Sequence, residues 1–468
     1  MLLDFFDLTS ILGTLQTIVS FIVILGFLVF FHELGHYLVA RRNGIIVDEF
    51  GMGYPPRLVK LFTYDGTEFT LNLIPFGGFA RMRGEDAADM GKGTFNAASR
   101  GGRAATLIAG PAMNALLAIL LFAASFMDGF PAAAASPQIA TDTDPEVLAP
   151  YALEPSDILL TLDNKPIYMP AFDDLDYTVT VPESTDETAA ENILLVSRQD
   201  ELVELAFPAD RTLEDLLQSV DTLPVLGTKI TLIAEESPAL ESGLLAGDLF
   251  YRVDGITIDD DENSLINVIR EVAGTEVPVT VLRGEEWVTV NVKPRTPEET
   301  PTGEGSLGVG ISGVSQLASL PLLPSLWEGT KFTFSYFWTI IKLPYMIFAG
   351  QVAASDAEFT GPVGIAQMVG GAVDATMETG FRYPIWRLSA ILSAALAITN
   401  MLPLPALDGG RLLFILIETI RGRRVSPERE GMVHMLGFVF LLGLIVFITV
   451  RDITGTREAI NWMEILGQ

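Results

Sequence analysis

Long apolar runs lie toward both ends of the 468-residue chain, and a more polar block separates them. Each run is expected to form one helix able to cross about 30 Å of hydrocarbon at about 1.5 Å per residue. The runs occupy residues 11–40, 104–127, 385–402 and 432–450. Between the second and third runs, residues 128–323 contain alternating apolar and polar positions, a pattern typical of β-strands. The chain is therefore predicted to be a multi-pass α-helical membrane protein with four spans and a β-rich insertion.

Residues 45–83, directly after the first span, contain short β-type runs broken by glycines such as Gly77 and Gly78. This pattern predicts a membrane-associated β-hairpin region. The region is either an ordinary cytoplasmic hairpin or one that dips toward an active site. In the second case its free edge pairs with an unfolded substrate segment by strand addition. The pattern leaves both interpretations open.

The insertion contains two related segments. Residues 237–258 combine small residues at tight turns with a β-type run, and two alternating strands follow at 277–292. A weaker copy of the same order lies at 150–167 and 191–207. We therefore predict an internal duplication of a β-rich module of roughly 80 to 90 residues.

Hydrophobic residues and acidic residues are concentrated in different parts of the chain. Hydrophobic residues make up 49% of it, yet its formal net charge is −30. Residues 128–323 hold 37 of the 59 acidic residues but only nine of the 29 basic ones. Such an acidic block repels nucleic acid and anionic lipid, so no nucleic-acid partner is expected. Without cysteine, the chain has no disulfide, thiolate zinc site or cysteine nucleophile.

Basic residues next to the spans indicate their orientation, because such residues favour the cytoplasmic side. They follow the first span, precede the second and follow the third, at Arg41, Arg42, Arg100, Arg103, Arg421, Arg423 and Arg424. The N-terminus carries Asp4 and Asp7 and lacks a basic segment, so we expect it to be retained as the first span rather than removed as a signal peptide.

The first span ends in His32-Glu33-Leu34-Gly35-His36, an H-E-x-x-H pattern. Positions four apart share a helix face, so His32 and His36 can bind one zinc ion. Glu33 is then placed to take a proton from a metal-bound water. Ionisable residues within a membrane helix are costly and mark functional sites. A chance match is the alternative, but two of the three histidines of the chain lie in this motif.

A catalytic zinc site needs a third protein ligand, and Asp408 is the best candidate. It ends an apolar segment and precedes two glycines that allow a close backbone approach. Before it, Pro403 and Pro405 exclude regular helix and predict an extended segment with exposed backbone groups. Asn400 is expected to contact a developing oxyanion or the substrate.

The position of Asp408 also bears on residues 324–349. If these residues crossed the membrane, Asp408 would lie at the opposite face from His32, so we expect them to lie in the interface. Whether they span stays open from sequence alone. His434, at the start of the fourth span, is expected to be structural rather than a ligand. Asn114, in the second span, is either part of a tolerated kink or faces protein.

Three motifs together resemble the site-2 protease family of intramembrane zinc metalloproteases. They are H-E-x-x-H in the first span, G-P-x-x-N at 110–114 and N-x-x-P-x-P-x-L-D-G at 400–409. The resemblance implies His32, His36 and Asp408 as ligands of one Zn²⁺ ion and Glu33 as general base. It implies that Asn400 is catalytic and that the substrate is contacted by Asn114, Pro403, Pro405, Gly77 and Gly78.

The resemblance also covers the insertion, whose two modules look like PDZ domains. In the first copy Pro155-Ser156-Asp157 replaces the usual glycine before the aspartate, so this copy is degenerate. The resemblance implies five parts of the chain. They are an N-terminal membrane part (1–127), a first PDZ-like domain (137–225), a second PDZ-like domain (226–297), interfacial amphipathic helices (324–373) and a C-terminal membrane part (385–468).

Together these features predict an endopeptidase of a bacterial inner membrane, with extracytoplasmic PDZ-like domains and an active site near the cytoplasmic side. Its expected partners are membrane lipid and a single-pass substrate that a site-1-type protease has already shortened, such as an anti-sigma factor or a remnant signal peptide. A catalytically silent scaffold that binds through its PDZ-like modules, and a metal-dependent membrane enzyme other than a protease, are the alternatives.

Overall fold

The computed structural model describes residues 8–85, 89–163, 165–170, 191–198, 201–208, 210–258, 264–283, 286–301, 304–349, 360–454, 460 and 462. Parts of the predicted first PDZ-like, interfacial and C-terminal segments, at 171–190, 350–359 and 455–459, lie outside the described residues. The chain divides into two compact units. One comprises Met1–Gly129 with Pro321–Trp462, and the other comprises Phe130–Leu320 with Met463–Gln468.

Eleven α-helices lie within the described ranges: α1 Leu8–Arg42, α2 Arg100–Asp128, α3 Pro145–Leu148, α4 Leu213–Ser219, α5 Pro238–Ser242, α6 Leu265–Glu271, α7 Leu322–Phe348, α8 Pro362–Thr379, α9 Tyr383–Met401, α10 Asp408–Arg421 and α11 Pro427–Thr454. The strands are β1 Val47–Tyr64, β2 Thr67–Met82, β3 Phe130–Ile139, β4 Ile158–Leu162, β5 Lys165–Pro166, β6 Met169–Pro170, β7 Glu191–Arg198, β8 Glu201–Pro208, β9 Thr222–Leu226, β10 Thr228–Ile233, β11 Leu249–Val253, β12 Ile256–Thr257, β13 Val277–Arg283, β14 Glu286–Val292, β15 Val309–Gly313 and β16 Ser315–Ala318.

Within the described ranges, three helices are long and apolar enough to cross a membrane, and they match the first, second and fourth predicted spans. They cover Leu12–Arg42, Arg100–Asp128 and Arg429–Thr454. The predicted third span is also helical, as α9, but it is not among these three. Its first turns contain Pro384 and Arg387, which shorten its apolar length.

α7 is one continuous helix of 27 residues that packs against α2. At the contact, a Cβ on Gly329 would lie 2.6 Å from the carbonyl oxygen of Ile119, so the absence of a side chain sets the helix separation. The guanidinium of Arg387 from α9 lies 5.0 Å from the ring centre of Phe122 and 4.4 Å from that of Phe332. This cation–π contact joins α2, α7 and α9.

The β-hairpin predicted at 45–83 is present, and both of its strands bend and pair twice. The first part of β1 lies between two segments of β2, with residues 78–82 on one side and residues 67–74 on the other. The second part of β1, residues 57–64, pairs with the far side of residues 67–74. The pairing of 49–52 with 68–71 advances in the same direction on both segments and is therefore parallel. The resulting sheet has residues 78–82 at one edge.

The second unit is β-rich, as predicted, and has two hydrophobic cores. One sheet has the order β16-β3-β4-β7-β8, with β5, β6 and β9 pairing at its side, and the other has the order β14-β13-β11-β10-β15, with β12 beside β11. The first core includes Leu159, Leu194 and Phe207. The second core includes Ile230, Val253 and Val279. β15 belongs to the second sheet, so this sheet extends beyond residue 297, where the second PDZ-like domain is predicted to end.

The two sheets repeat one ion pair, which supports the predicted duplication. In the first, Arg198 Nη2 donates to Asp157 Oδ2 at 2.7 Å, and in the second Arg283 Nη2 donates to Asp248 Oδ2 at 2.8 Å. Both aspartates are buried and cap the turn before a strand. Before Asp248, Gly247 has a φ of 97°, and the equivalent Ser156 has a φ of 74°. Serine thus occupies a left-handed conformation that costs it roughly 1–2 kcal/mol.

Candidate metal centre

Three side chains predicted as metal ligands meet near the C-terminal end of α1. His32 Nε2 and His36 Nε2 each lie 3.2 Å from Asp408 Oδ2, and they lie 3.2 Å from one another. Both histidines are buried, on one face of α1, and Asp408 is the first residue of α10. Within the described ranges, these residues are the one group of His, Asp or Glu side chains close enough to share a metal ion.

The dimensions and chemistry of this cluster fit zinc. Ligand atoms around a tetrahedral zinc ion with bonds of about 2.1 Å lie about 3.4 Å apart, close to the separations found here. Two imidazole nitrogens and one carboxylate oxygen direct lone pairs at a common point, which a cation stabilises. Two histidines and one carboxylate are also the donor set of catalytic zinc sites, which keep one position open.

A backbone carbonyl on α2 orients His36. The Nδ1 atom of His36 lies 2.8 Å from the Thr106 carbonyl oxygen. That oxygen can only accept a hydrogen bond, so Nδ1 carries the proton and Nε2 is left as a ligand. One turn further along α2, a Cβ on Gly110 would lie 2.3 Å from His36 Nε2. Only glycine at this position leaves room for the ring.

Asn114 plays the corresponding part next to His32. Its side-chain nitrogen lies 3.4 Å from His32 Nδ1, and the residue is completely buried. The Asn114 Oδ1 atom has no hydrogen-bond partner among the described residues. A half-turn of the amide brings that oxygen to the imidazole, where it can accept the Nδ1 proton. Asn114 therefore lies behind a histidine rather than at an open surface.

Glu33 lies beside the cluster, between α1 and the edge segment 78–82 of β2. The backbone N–H of Ala80 donates a hydrogen bond to its carboxylate. At Gly78 an added Cβ would lie 3.3 Å from Glu33 Cγ and 3.1 Å from Val29 Cγ1, so a side chain there would crowd Glu33. Gly77 has a φ of 77° and packs against the Tyr54 ring. The strand edge thus approaches Glu33 because Gly78 carries no side chain.

The segment between α9 and α10 is shaped by its prolines and glycines. A Cβ on Gly409 would lie 2.3 Å from the Leu402 carbonyl oxygen, and one on Gly410 would lie 2.2 Å from that of Leu404. Because these two glycines have no side chain, the start of α10, which carries Asp408, packs closely against the backbone of residues 402–405. Pro403 is exposed and lines an open groove with residues of α2 and α10.

Exposed backbone groups are expected in this loop, but the N–H groups of residues 402–407 are all engaged or absent. Pro403 and Pro405 have no N–H, the N–H of Leu404 donates to Leu402 O, and that of Leu407 donates to Leu404 O. The N–H of Ala406 donates to His434 Nδ1 at 2.9 Å. The loop therefore offers no free N–H group to a substrate. Asn400 is likewise engaged, because its Nδ2 donates to Leu396 O at 3.0 Å within α9.

Sequence reasoning missed the contacts that hold the ligands. Thr106 and Ala80 act through their backbones, so their residue types carry no signal. Gly110 lies in a motif that was recognised, but its contact with His36 depends on how α1 and α2 pack. His434 is not among the three residues of this cluster, and its Nδ1 accepts a hydrogen bond from the N–H of Ala406.

Comparisons with known proteins match most of the chain. The sequence model of Peptidase family M50 matches residues 20–444. Zinc metalloprotease RasP of Geobacillus kaustophilus is 31% identical over 458 residues, which cover 94% of this chain and 98% of the relative. Regulator of sigma-E protease RseP of Salmonella typhimurium is 30% identical over 465 residues, with 93% and 98% covered. RseP of Escherichia coli is 31% identical over 481 residues, with the same coverage.

Proposed function

Since the chain belongs to Peptidase family M50 and is a zinc metalloendopeptidase, we propose that it cleaves transmembrane segments of single-pass proteins that another protease has already shortened. Membership in this family argues against the two alternatives, a catalytically silent scaffold and a metal-dependent enzyme other than a protease. Two of these relatives are named regulators of sigma-E, which supports an anti-sigma factor as one substrate class, and remnant signal peptides are the other class proposed.

The observation that carries the proposal is the convergence of His32, His36 and Asp408 on one point inside a membrane-type helix pair. These three residues would hold one zinc ion. When bound, zinc supplies Lewis-acid chemistry that activates water and polarises a peptide carbonyl. The Thr106 carbonyl and the Asn114 amide fix the two imidazoles, so both ligands are oriented before the metal arrives. In this proposal Asn114 positions His32 instead of contacting the substrate.

Glu33 serves as the general base. Its carboxylate is adjacent in sequence to the ligand His32 and is held by the Ala80 N–H. It accepts the proton of the attacking water on a carboxylate oxygen and transfers it to the leaving amide nitrogen. The geometry supports this assignment because α1 fixes the backbone of Glu33 and β2 fixes its carboxylate.

The substrate binds in an extended conformation along residues 78–82 of β2. A helical substrate has no free backbone N–H or C=O groups in its interior, so it must unwind before a protease can bind its backbone. An edge strand supplies such groups for strand addition. Gly77 and Gly78, and Pro403 and Pro405 in the loop before Asp408, contact the substrate. Asn400 contacts the substrate carbonyl oxygen after its amide leaves Leu396.

The orientation follows from the basic residues beside α1, α2 and α10, which put the metal centre near the cytoplasmic face of a bacterial inner membrane. α9 completes four spans, and α7 lies in the interface with α8. On this topology the second unit is extracytoplasmic, and its PDZ-like modules exclude substrates whose outer domain has not been trimmed by the upstream protease.

The test compares Glu33→Gln and Asp408→Asn with the unaltered protein, purified in detergent. Glu33→Gln should retain stoichiometric zinc and lose cleavage of a transmembrane peptide by at least about a hundredfold, the usual contribution of a general base. Asp408→Asn should lose both zinc and activity. Full cleavage by Glu33→Gln would contradict the proposal, as would unaltered zinc binding by Asp408→Asn.

A further inference from the structure

The last span contacts the loop that carries Asp408. From α11, His434 Nδ1 lies 2.9 Å from the backbone nitrogen of Ala406, two residues before the aspartate. Ala406 has a φ of 73°, a left-handed conformation that is unfavourable for a residue other than glycine. Such a conformation persists only where the surrounding structure holds it. The hydrogen bond that the N–H of Ala406 donates to His434 is one such restraint.

The direction of this hydrogen bond is fixed by chemistry. A backbone N–H can only donate, so His434 Nδ1 must be unprotonated and accept. The N–H groups of Leu404 and Leu407 are bonded to carbonyl groups of the loop itself, whereas the N–H of Ala406 is bonded to a different helix. His434 therefore fixes the loop relative to α11, which the bonds inside the loop do not do.

A second contact lies one turn further along the same face of α11. A Cβ on Gly437 would lie 2.2 Å from Pro405 Cβ, so α11 approaches the loop as closely as glycine allows. The His434 ring also lies 5.5 Å from that of Phe414, which belongs to the same helix as Asp408. α11 thus contacts the residues before Asp408 and the helix that follows it.

We propose that His434 is a positioning residue for the metal centre, which it acts on by holding Ala406 and, through that loop, the carboxylate of Asp408. The inference rests on the proposed function, because Asp408 must be a zinc ligand for its placement to matter. It gives the last span a part in the reaction although that span contributes no ligand, base or substrate contact.

The experiment uses three substitutions of His434 in the full-length protein. His434→Asn keeps an acceptor where Nδ1 stood, His434→Gln moves the acceptor about one bond further out, and His434→Leu removes it. We expect His434→Leu and His434→Gln to release zinc to a chelator about tenfold faster, the effect of one net hydrogen bond. Their kcat on a transmembrane peptide should fall about tenfold with KM little changed, and His434→Asn should stay within about twofold of the unaltered protein.

Met435→Leu is the matched control, because Met435 is exposed on the same helix and its substitution should change neither measurement. Gly437→Ala is the second variant and should also accelerate zinc release, by pushing α11 off Pro405. Equal zinc-release rates for His434→Asn and His434→Gln would overturn the proposal, and so would unaltered release in Gly437→Ala. If Asp408→Asn binds zinc as tightly as the unaltered protein, the ligand assignment itself fails, which is a distinct result.

Discussion

Gly110 shows how one missing side chain can decide whether a metal site forms. The imidazole of His36 occupies the space that a Cβ at position 110 would fill, at 2.3 Å from Nε2. Gly35 does the same in the opposite direction, since its Cβ would lie 2.2 Å from the Ala109 carbonyl oxygen. Two glycines on facing helices therefore bring the ligand face of α1 against α2, where the Thr106 carbonyl is within reach of His36.

Gly110→Ala should displace the His36 ring and weaken zinc binding by roughly 10- to 100-fold, the usual effect of disturbing a group that orients a ligand. Competition with a chromophoric zinc chelator measures the change. Gly101→Ala on the same helix is the control, because open space surrounds that position. Equal zinc affinities of the two variants would show that the ring tolerates the added methyl group.

At this scale the sequence was informative where residue type determines chemistry. His32, Glu33 and His36 form a spaced motif, and Asp408 is an acid at the end of an apolar run, so the clustering of His32, His36 and Asp408 could be predicted. The contact between His434 and Ala406 could not be predicted, because it depends on a left-handed backbone at an alanine. Nothing in the residue type of Ala406 indicates that conformation.

Among the elements, α10 is fixed to α2 by a buried ion pair. Arg103 Nη2 donates to Glu418 Oε2 at 2.7 Å and Arg100 Nε to Oε1 at 3.1 Å. Burial raises the pKa of Glu418, but the hydrogen bonds from Arg103 and Arg100 outweigh it and hold that pKa below its ordinary value. The pair therefore stabilises the fold near neutral pH, and this contribution is lost as the pH falls through the lowered pKa.

Glu418→Gln should lower the thermal midpoint of unfolding in detergent by several degrees, because it leaves the buried Arg103 without its carboxylate. Glu68→Gln removes an exposed partner of Arg57 and Lys60 and should shift the midpoint far less. The comparison is best made above pH 6, where both carboxylates are charged. Equal shifts in the two variants would mean that the Glu418 pair stabilises the fold no more than an exposed pair does.

The elements were partly predictable. Glycine-broken β-type runs predicted the hairpin, but the bends that make each strand pair twice depend on packing against α1. The predicted third span is a helix, yet Arg387 lies in its second turn, where rings of Phe122 and Phe332 surround the guanidinium. A hydropathy pattern treats that arginine as solvated, because it cannot include aromatic partners from two other helices.

On the scale of the whole molecule, the three predicted ligands and Glu33 belong to one unit. Phe130–Leu320, which are inserted between the two parts of that unit, make up most of the other unit. The two sheets of the insertion were predicted from their repeated turn and strand order. Their end was not predicted, because glycine and serine separate the apolar residues of Val309–Gly313 and Ser315–Ala318, and both residue types are more typical of turns. Pairing with β10 and β3 forms those strands.

A variant in which a short flexible linker replaces residues 130–320 should keep its zinc, since no ligand lies in the insertion. If the PDZ-like modules exclude untrimmed substrates, this variant should cleave an untrimmed single-pass substrate that the full-length protein leaves intact. The ratio of the two cleavage rates in reconstituted vesicles measures the effect. Unchanged discrimination would show that the modules do not select the substrate, and a pre-trimmed substrate controls for general loss of activity.

Ser156 and Gly247 occupy the same turn of the two modules, and only the second has the residue that the backbone prefers. The arginine–aspartate pair is present in both modules, whereas glycine precedes the aspartate only in the second. The same turn therefore forms with serine or with glycine at this position, as long as the buried aspartate and its arginine close it.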